Sequence, residues 1–442
     1  MSVGQKTMLL SATLSNGYGV QGQAWRAPEN DTGNFTDIEA QVRLAQTAER
    51  GKFAFLFAPD FPGARGDMET QAPVSTLDPI VTLSVLAHQT SRVGFIATGS
   101  TTYNEPYNLA RQFKALDVLS RGRVGWNAVT TSDPIAVANY GEQVRPRQER
   151  YERAHEMISI VQALWGSWGE DAWVRNVDTG RFLDMDQIQP INLGGQHVAS
   201  RGPLVIPPSE QGQPVVASAG GGEYGLGLAG RYASVAVGSS TYDFATTRQE
   251  REMYRSAAHQ AGRDADELKY FTGFMPIMGR TVEDAIRRRM QMDEHLAPQR
   301  VPMLGMMLGL SLDASQADQP LSTLQLESAR ANPGDPRSSR ALEIAQQGWT
   351  PREILAHGVI DYAPSPVGPP EAIADYLQDA FETGIADGFW LQQATYAIAD
   401  DFVDKVVPIL QKRGLYHRDY QGSTLREHLG VPRQYGQDPR IS

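Results

Sequence analysis

A TIM-type (β/α)8 barrel with two insertions is the fold this sequence predicts, and three observations point to it. Short apolar runs alternate with helical periodicity along the chain, eight strand candidates can be marked, and each runs into polar residues at its end. Strand–helix alternation demands parallel pairing with right-handed crossovers, and eight units favour a closed barrel over an open doubly wound sheet. In such barrels the C-terminal strand ends carry the ligand site. The 442 residues suffice for one large barrel with additions, so 1–442 is read as a single barrel domain with insertions near 169–213 and 297–350.

The elements follow in order. Residues 8–12 are a short apolar strand, and 15–25 form a glycine-rich polar loop beyond its end. Thr36-Asp37-Ile38-Glu39 has the form of a capping box, Ile38, Val42, Ala45 and Ala48 make a helical stripe, and Gly51 stops it. Residues 53–57 are a continuous apolar strand that delivers Asp60 just past its end. A helix over 79–91 leads to a strand over 93–98 and a hydroxyl-rich loop at 99–104. Pro106 opens the next helix, with Leu109, Phe113, Leu116 and Leu119 behind it.

The fourth strand carries the most informative stretch. Val124, Trp126 and Ala128 point one way and Gly125, Asn127 and Val129 the other, so both faces are apolar except at Asn127. A carboxamide there needs partners, because leaving it unpaired costs roughly 1–3 kcal/mol. Thr130 and Thr131 sit where the strand ends. A helix over 147–168 follows, with Tyr151, Ala154, Ile158, Val161 and Leu164 inward and His155 beside that stripe.

Residues 169–213 lose all period and read as the first insertion. A strand over 214–218 then enters the glycine-rich turn 219–225, which feeds a helix. Strands at 233–237 and 270–275 flank a helix over 244–261, and Thr281 with Asp284 opens a helix running to 296. The second insertion, 297–350, is Met-rich and then Ala/Ser/Pro/Asp-rich, a candidate lid in which Met303, Met306 and Met307 suggest an adaptable apolar wall. A helix over 369–383 stops at Gly384, the last strand is 388–392, and Pro408 bends the closing helix over 401–413.

Composition excludes several classes of function. With no cysteine, disulfides, thiolate metal sites and a cysteine nucleophile are ruled out. Net charge −11 and a pI near 5.3 argue against nucleic-acid binding. No apolar run approaches the roughly 20 residues needed to cross a bilayer, and the first residues do not resemble a signal peptide, so no membrane association and a cytoplasmic location are expected. The eight histidines show no zinc-ligand spacing, and no metal is expected. A small anion remains possible for the 219–225 turn, where glycines let backbone N–H groups approach phosphate oxygens; Arg147 and Tyr151, one helical turn apart, could face the same point.

Several blocks then stand in a recognisable order: Phe-Leu-Phe-Ala-Pro-Asp at 55–60, Thr-Gly-Ser-Thr-Thr-Tyr-Asn-Glu-Pro-Tyr-Asn-Leu-Ala-Arg at 98–111, Gly-Arg-Val-Gly-Trp-Asn-Ala-Val-Thr-Thr at 122–131, Asn-Tyr-Gly at 139–141, Arg-Tyr-Glu-Arg-Ala-His-Glu at 150–156 and Leu-Trp-Gly-Ser-Trp at 164–168. In these the chain resembles the bacterial-luciferase-like flavin monooxygenases, in the branch of the nitrilotriacetate, dibenzothiophene-sulfone and long-chain-alkane monooxygenases. The resemblance extends from about residue 8 to 420.

The resemblance implies a TIM barrel that takes reduced FMN (FMNH2) from a separate NAD(P)H:FMN reductase, reacts it with O2 and oxygenates a small organic substrate, as a homodimer or homotetramer. It implies that Asp60, Thr98, Asn127, Thr131 and Tyr151 line the flavin, with Asn127 and Thr98 as the hydrogen-bond donors at its reactive edge. Arg147 stands where many relatives have His. The family's Gln-Ala-Gly-Ser-Ser phosphate loop is here Ser218-Ala219-Gly220-Gly221-Gly222, so Gly221 and Gly222 offer backbone N–H groups where relatives add hydroxyls. Several relatives carry a His before the equivalent of Ala24-Trp25-Arg26; this chain has Tyr18 and Gln21-Gly22-Gln23. A deazaflavin-dependent oxidoreductase, or a barrel that binds flavin without catalysis, are the alternatives; loss of turnover in Asn127→Ala would mark a catalyst. Relatives oxygenate sulfur, carbon next to nitrogen and alkane carbon, so the resemblance names a reaction and not a substrate.

Overall fold

The structure is a computed structural model that describes residues 7–438. Eight parallel strands close into a barrel in chain order: β1 (Leu9–Thr13), β2 (Phe55–Ala58), β3 (Gly94–Ser100), β4 (Val124–Val129), β5 (Val215–Ser218), β6 (Val235–Val237), β7 (Lys269–Phe274) and β8 (Gly388–Leu391), which returns to pair with β1. The principal helices outside it are α1 (Ile38–Arg50), α2 (Pro79–Gln89), α3 (Pro106–Leu119), α4 (Arg147–Trp165), α5 (Gly222–Tyr232), α6 (Phe244–Gln260), α7 (Val282–Asp293) and α8 (Pro370–Glu382). The expected eight strands are all present, with bounds shifted by a residue or two.

Local chemistry explains the helix starts. Asp37, and not Thr36, caps α1 by accepting the Glu39 N–H at 3.0 Å, because Thr36 already ends a 3-10 turn over Thr32–Phe35. Asp78 caps α2 just ahead of Pro79, and Thr281 caps α7 through the Asp284 N–H, as its spacing suggests. Helix α4 ends at Trp165, short of the expected 168, with Gly166 as its C-cap. The closing helix starts earlier than expected, at Tyr396, and carries a π-helical turn over Phe402–Val406 directly before Pro408. Proline supplies no N–H for the regular ladder, and a wider turn accommodates the lost bond.

Two apolar layers hold the barrel. Helix stripes pack on the outer strand faces through residues such as Leu10, Phe95, Trp126, Ile158 and Phe389. Inside, Phe55, Phe57, Ile96, Val215, Ala217 and Phe271 fill the core, joined at the bottom by Leu425, Leu429 and Val431. These last come from a short helix, Leu425–Leu429, and its exit, which plug the N-terminal mouth. A side chain at Gly94 would lie 2.8 Å from Leu425 Cδ1, so glycine admits the plug.

Both expected insertion segments are built on the barrel's helices. Within 169–213, Arg153 of α4 donates to the carbonyls of Thr101, Thr102, Asn104 and His197, and Glu156 accepts the N–H groups of Gln196, His197 and Val198. One helix thereby fixes both this excursion and the loop after β3. Within 297–350, helices Ala297–Leu308 and Ser338–Gln346 form their own core with Val301, Leu304, Leu308, Ile344 and Ile354. Met307 packs into that core, whereas Met303 and Met306 are 43% and 68% exposed. The helical stripe thus sends one of the three methionines inward and two to the outside.

A buried ion network ties this region to the barrel. The Arg289 guanidinium on α7 holds both Asp361 carboxylate oxygens at 3.0 and 2.9 Å and Asp293 at 2.6 Å, while Arg300 reaches Asp293 at 2.8 Å. Gln21, in the loop after β1, donates to Asp361 at 3.3 Å. Among the described residues no helix is long and apolar enough to cross a membrane.

Candidate active site

Parallel register sets the site. Thr98 of β3 lies beside Asn127 of β4, which lies beside Ala217 of β5, so three inward positions form a row near the C-terminal rim. Alternation sends Trp126 outward, where its indole N–H donates to Gly99 O and its ring meets Trp165 edge-on. Asn127 consequently points inward. Its Nδ2 donates to Thr98 Oγ1 at 3.0 Å, and its Oδ1 is buried with no partner. Thr98 Oγ1 is thus an acceptor for Asn127, which leaves the Thr98 O–H free to donate. The Thr98 hydroxyl and the second hydrogen of Asn127 Nδ2 are thus left to donate, and Asn127 Oδ1 is an unpaired acceptor.

These side chains border a cavity of about 420 Å³, lined also by Phe57, Asp60, Phe61, Arg65, Val129, Thr131, Ala219 and Trp390. Thr131 is held by Ser100, whose Oγ lies 2.7 Å away and also accepts the N–H groups of Thr102 and Tyr103. Burial, with the Asp78 carboxylate adding to it, pushes the Asp60 carboxyl above the ordinary aspartate range. Phe61, Arg65 and Trp390 form a shared wall with a second chamber of about 680 Å³. The Trp390 indole N–H is buried without a partner, and its ring packs 4.8 Å from that of Phe57.

The remaining residues selected from the sequence form a second cluster. Arg147 donates to Gly221 O at 3.1 Å and lies over the rings of Tyr151 and Tyr224 at 5.7 and 5.3 Å. Gly222 adopts φ +71, a conformation costly to any residue with a side chain, and begins α5 without a side-chain cap. A side chain at Gly221 would meet nothing within 4 Å, so the space in front of the helix N-terminus is open. Ala219, in the same turn, reaches the cavity of Asn127 and links the two clusters. Asp60, Thr98, Asn127 and Thr131 therefore share one cavity, and Arg147, Tyr151, Gly221 and Gly222 form a cluster of their own, joined to it in sequence by Ala219.

Sequence reasoning does not select Trp390, Phe61 or Arg65. Trp390 reads as one more apolar residue of a buried strand, and only the closure of β8 on β1 brings it to Phe61 and Arg65.

The luciferase-like monooxygenase family profile matches residues 16–387. The chain is 35% identical to N-acetyl-S-(2-succino)cysteine monooxygenase of Bacillus subtilis (strain 168), over 98% of each chain. It is 33% identical to nitrilotriacetate monooxygenase component A of Aminobacter aminovorans, over 94% of each. It is also similar to the solved structure of a riboflavin lyase with modified FMN and substrate riboflavin, with a TM-score of 0.76 and 28% identity over 96% of each chain. An eight-stranded barrel with a cavity at its C-terminal rim, matched along most of its length, places this enzyme: the chain belongs to the luciferase-like monooxygenase family of flavin-dependent oxidoreductases.

Proposed function

We propose that the protein is the oxygenase of a two-component system, taking reduced FMN from a separate NAD(P)H:FMN reductase and using O2 to oxygenate a small organic substrate. The observation that carries this reading is the buried, unpartnered Asn127 Oδ1 in a rim cavity. An orphaned buried acceptor costs about 1–3 kcal/mol and is relieved by a ligand N–H, such as the ring N–H groups of a reduced flavin. The nitrilotriacetate relative is named a component A, which supports a separate partner, and the riboflavin lyase structure holds a modified FMN, which supports the cofactor. Assembly as a homodimer or homotetramer in the cytoplasm belongs to the same reading.

The residues fit the group. Thr98 and Asn127 would hold the ring edge, Thr131 and Asp60 would accept from or donate to ring and ribityl groups, and Tyr151, Arg147 and the N–H groups of Gly221 and Gly222 would hold the phosphate. Bound reduced FMN supplies the two electrons by which one oxygen atom enters the substrate and the other leaves as water. The chain's own part is to orient the ring against the shared Phe61–Trp390 wall and to exclude water from the cavity.

The test begins without oxygen: photoreduced FMN is titrated into the protein, O2 is admitted, and oxygen consumption is followed with a substrate panel. Reduced FMN that binds and reacts faster with a panel member supports the proposal; no binding and no protein-dependent reaction overturn it. In the same titration Arg147→Ala is expected to weaken reduced-FMN binding by at least about tenfold, through loss of a charge-assisted phosphate contact, with turnover at saturating cofactor little changed.

Asp60 gives a pH-dependent expectation. Its carboxyl is raised in the folded protein, so folding favours the protonated form. That contribution is fully present below the ordinary aspartate value and is lost as pH rises through the raised one. Asp60→Asn should therefore raise the melting temperature of the flavin-free protein at neutral pH. The gain should vanish in acid, which thermal scans across pH would show.

A further inference from the structure

We propose that the 680 Å³ chamber beside the flavin cavity selects an uncharged, largely apolar substrate bearing a hydrogen-bond acceptor, and that it discriminates against carboxylates. This rests on the proposed oxygenase reading and names the substrate class of that site. The volume lies in the range that holds a drug-sized molecule. Its apolar walls include Val20, Phe61, Met68, Val74 and Trp390.

The polar groups among these walls are mostly neutral. Gln392 Oε1 accepts from both Thr13 Oγ1 and the Tyr362 hydroxyl at 2.8 Å, which leaves donation to the amide's Nε2. Gln21 spends its N–H on Asp361 and on the Met275 sulfur. The indole N–H of Trp390, in the wall common to both cavities, has no partner. Amide and indole donors of this kind recognise a carbonyl, sulfone or ether oxygen without a countercharge.

Charge sets the discrimination. Among the described residues Arg65 is the one cation lining either chamber, against the carboxylates of Asp60, Asp67 and Asp133. Its guanidinium is already paired with Asp133 at 2.5 Å and lies over the Phe61 ring at 4.8 Å. Thr70 hydrogen bonds hold the Asp67 carboxyl below the usual carboxylate range, so it stays anionic. Within the 680 Å³ chamber itself Arg65 faces Asp67, and Asp60 and Asp133 lie in the adjoining cavity, so a carboxylate substrate would meet the Asp67 anion and have to displace the Arg65–Asp133 ion pair to find a cation.

The test uses matched pairs, each an aryl or alkyl thioether acid and its methyl ester, and each acid's amide. Binding is measured by calorimetry on the protein alone and with FMN, and oxygen consumption is followed with photoreduced FMN. Ester and amide are expected to bind at least tenfold more tightly than the acid, and Asp133→Asn, which frees Arg65, to narrow that gap from the acid's side. An acid that binds as tightly as its ester, or a panel of which no member binds, overturns the proposal. A panel showing the expected preference on a protein that neither binds reduced FMN nor consumes O2 leaves the chamber's selectivity standing and removes the oxygenase reading.

Discussion

Asn127→Ala is expected to lower oxygenation turnover by about 10²–10³-fold while leaving the unfolding midpoint of the flavin-free protein nearly unchanged. The kinetic loss is that of a preorganised hydrogen-bonding group aimed at the reacting centre. The variant removes the acceptor in the cavity and also the N–H that orients Thr98 at 3.0 Å. Stability responds differently. Losing the bond to Thr98 costs about 1 kcal/mol, but the substitution also deletes a buried Oδ1 whose desolvation has no compensation, a gain of similar size. Turnover of Asn127→Ala, Thr98→Val and the double variant separates the roles: because the two side chains act as one unit, the double variant should lose little more than Asn127→Ala alone. Turnover near the parent level in Asn127→Ala would remove the pair from the chemistry.

The second large effect lies away from the cavity. Asp361→Ala is expected to destabilise the protein by about 3–5 kcal/mol, because it leaves the Arg289 guanidinium buried beside a single carboxylate. The side chains of Arg289 and Asp361 are 2% and 4% exposed, so water does not replace the lost partner. Burial works to raise the Asp361 carboxyl, but Arg289, in charge and hydrogen bond, holds it below the ordinary range. Its stabilisation is therefore present above the ordinary aspartate pKa and is lost only as pH falls through the lowered value. Urea unfolding at neutral pH should show the full deficit, and at strongly acidic pH the parent and variant should converge. A midpoint that does not move at neutral pH would mean that the network is solvated in the working protein.

Much of the fold is legible in the sequence because its signals are local. Strand runs, proline starts and glycine stops depend on neighbours within one or two turns, and so all eight strands can be marked, with Thr281 correctly opening α7. Thr36 misleads as a cap because the 3-10 turn before it has no comparable apolar period. The Met stretch is open to two readings in the sequence, wall or core: composition marks it as apolar and adaptable, but only packing reveals which face of its helix meets Val301 and Leu304. At the site, residues on strand ends are accessible to inference, since a barrel brings all such ends to one rim. Trp390 and Arg65 are not, because their importance arises from pairs far apart in sequence, β8 with β1 and Arg65 with Asp133. Which atom of Asn127 is free is equally invisible, as it depends on the register that sets Thr98 beside it.

The plug formed by Leu425–Leu429 bears on how the protein is made. Its residues emerge from the ribosome only after all eight strands, yet they complete the apolar floor against Phe55, Ile96 and Val215. A nascent chain can pair its strands while the bottom of the barrel still opens to water, and β1 itself must wait for β8 to find its second neighbour. Sealing of the core is thereby deferred until all eight strands have been made, when the rim at the opposite mouth already has every strand it needs.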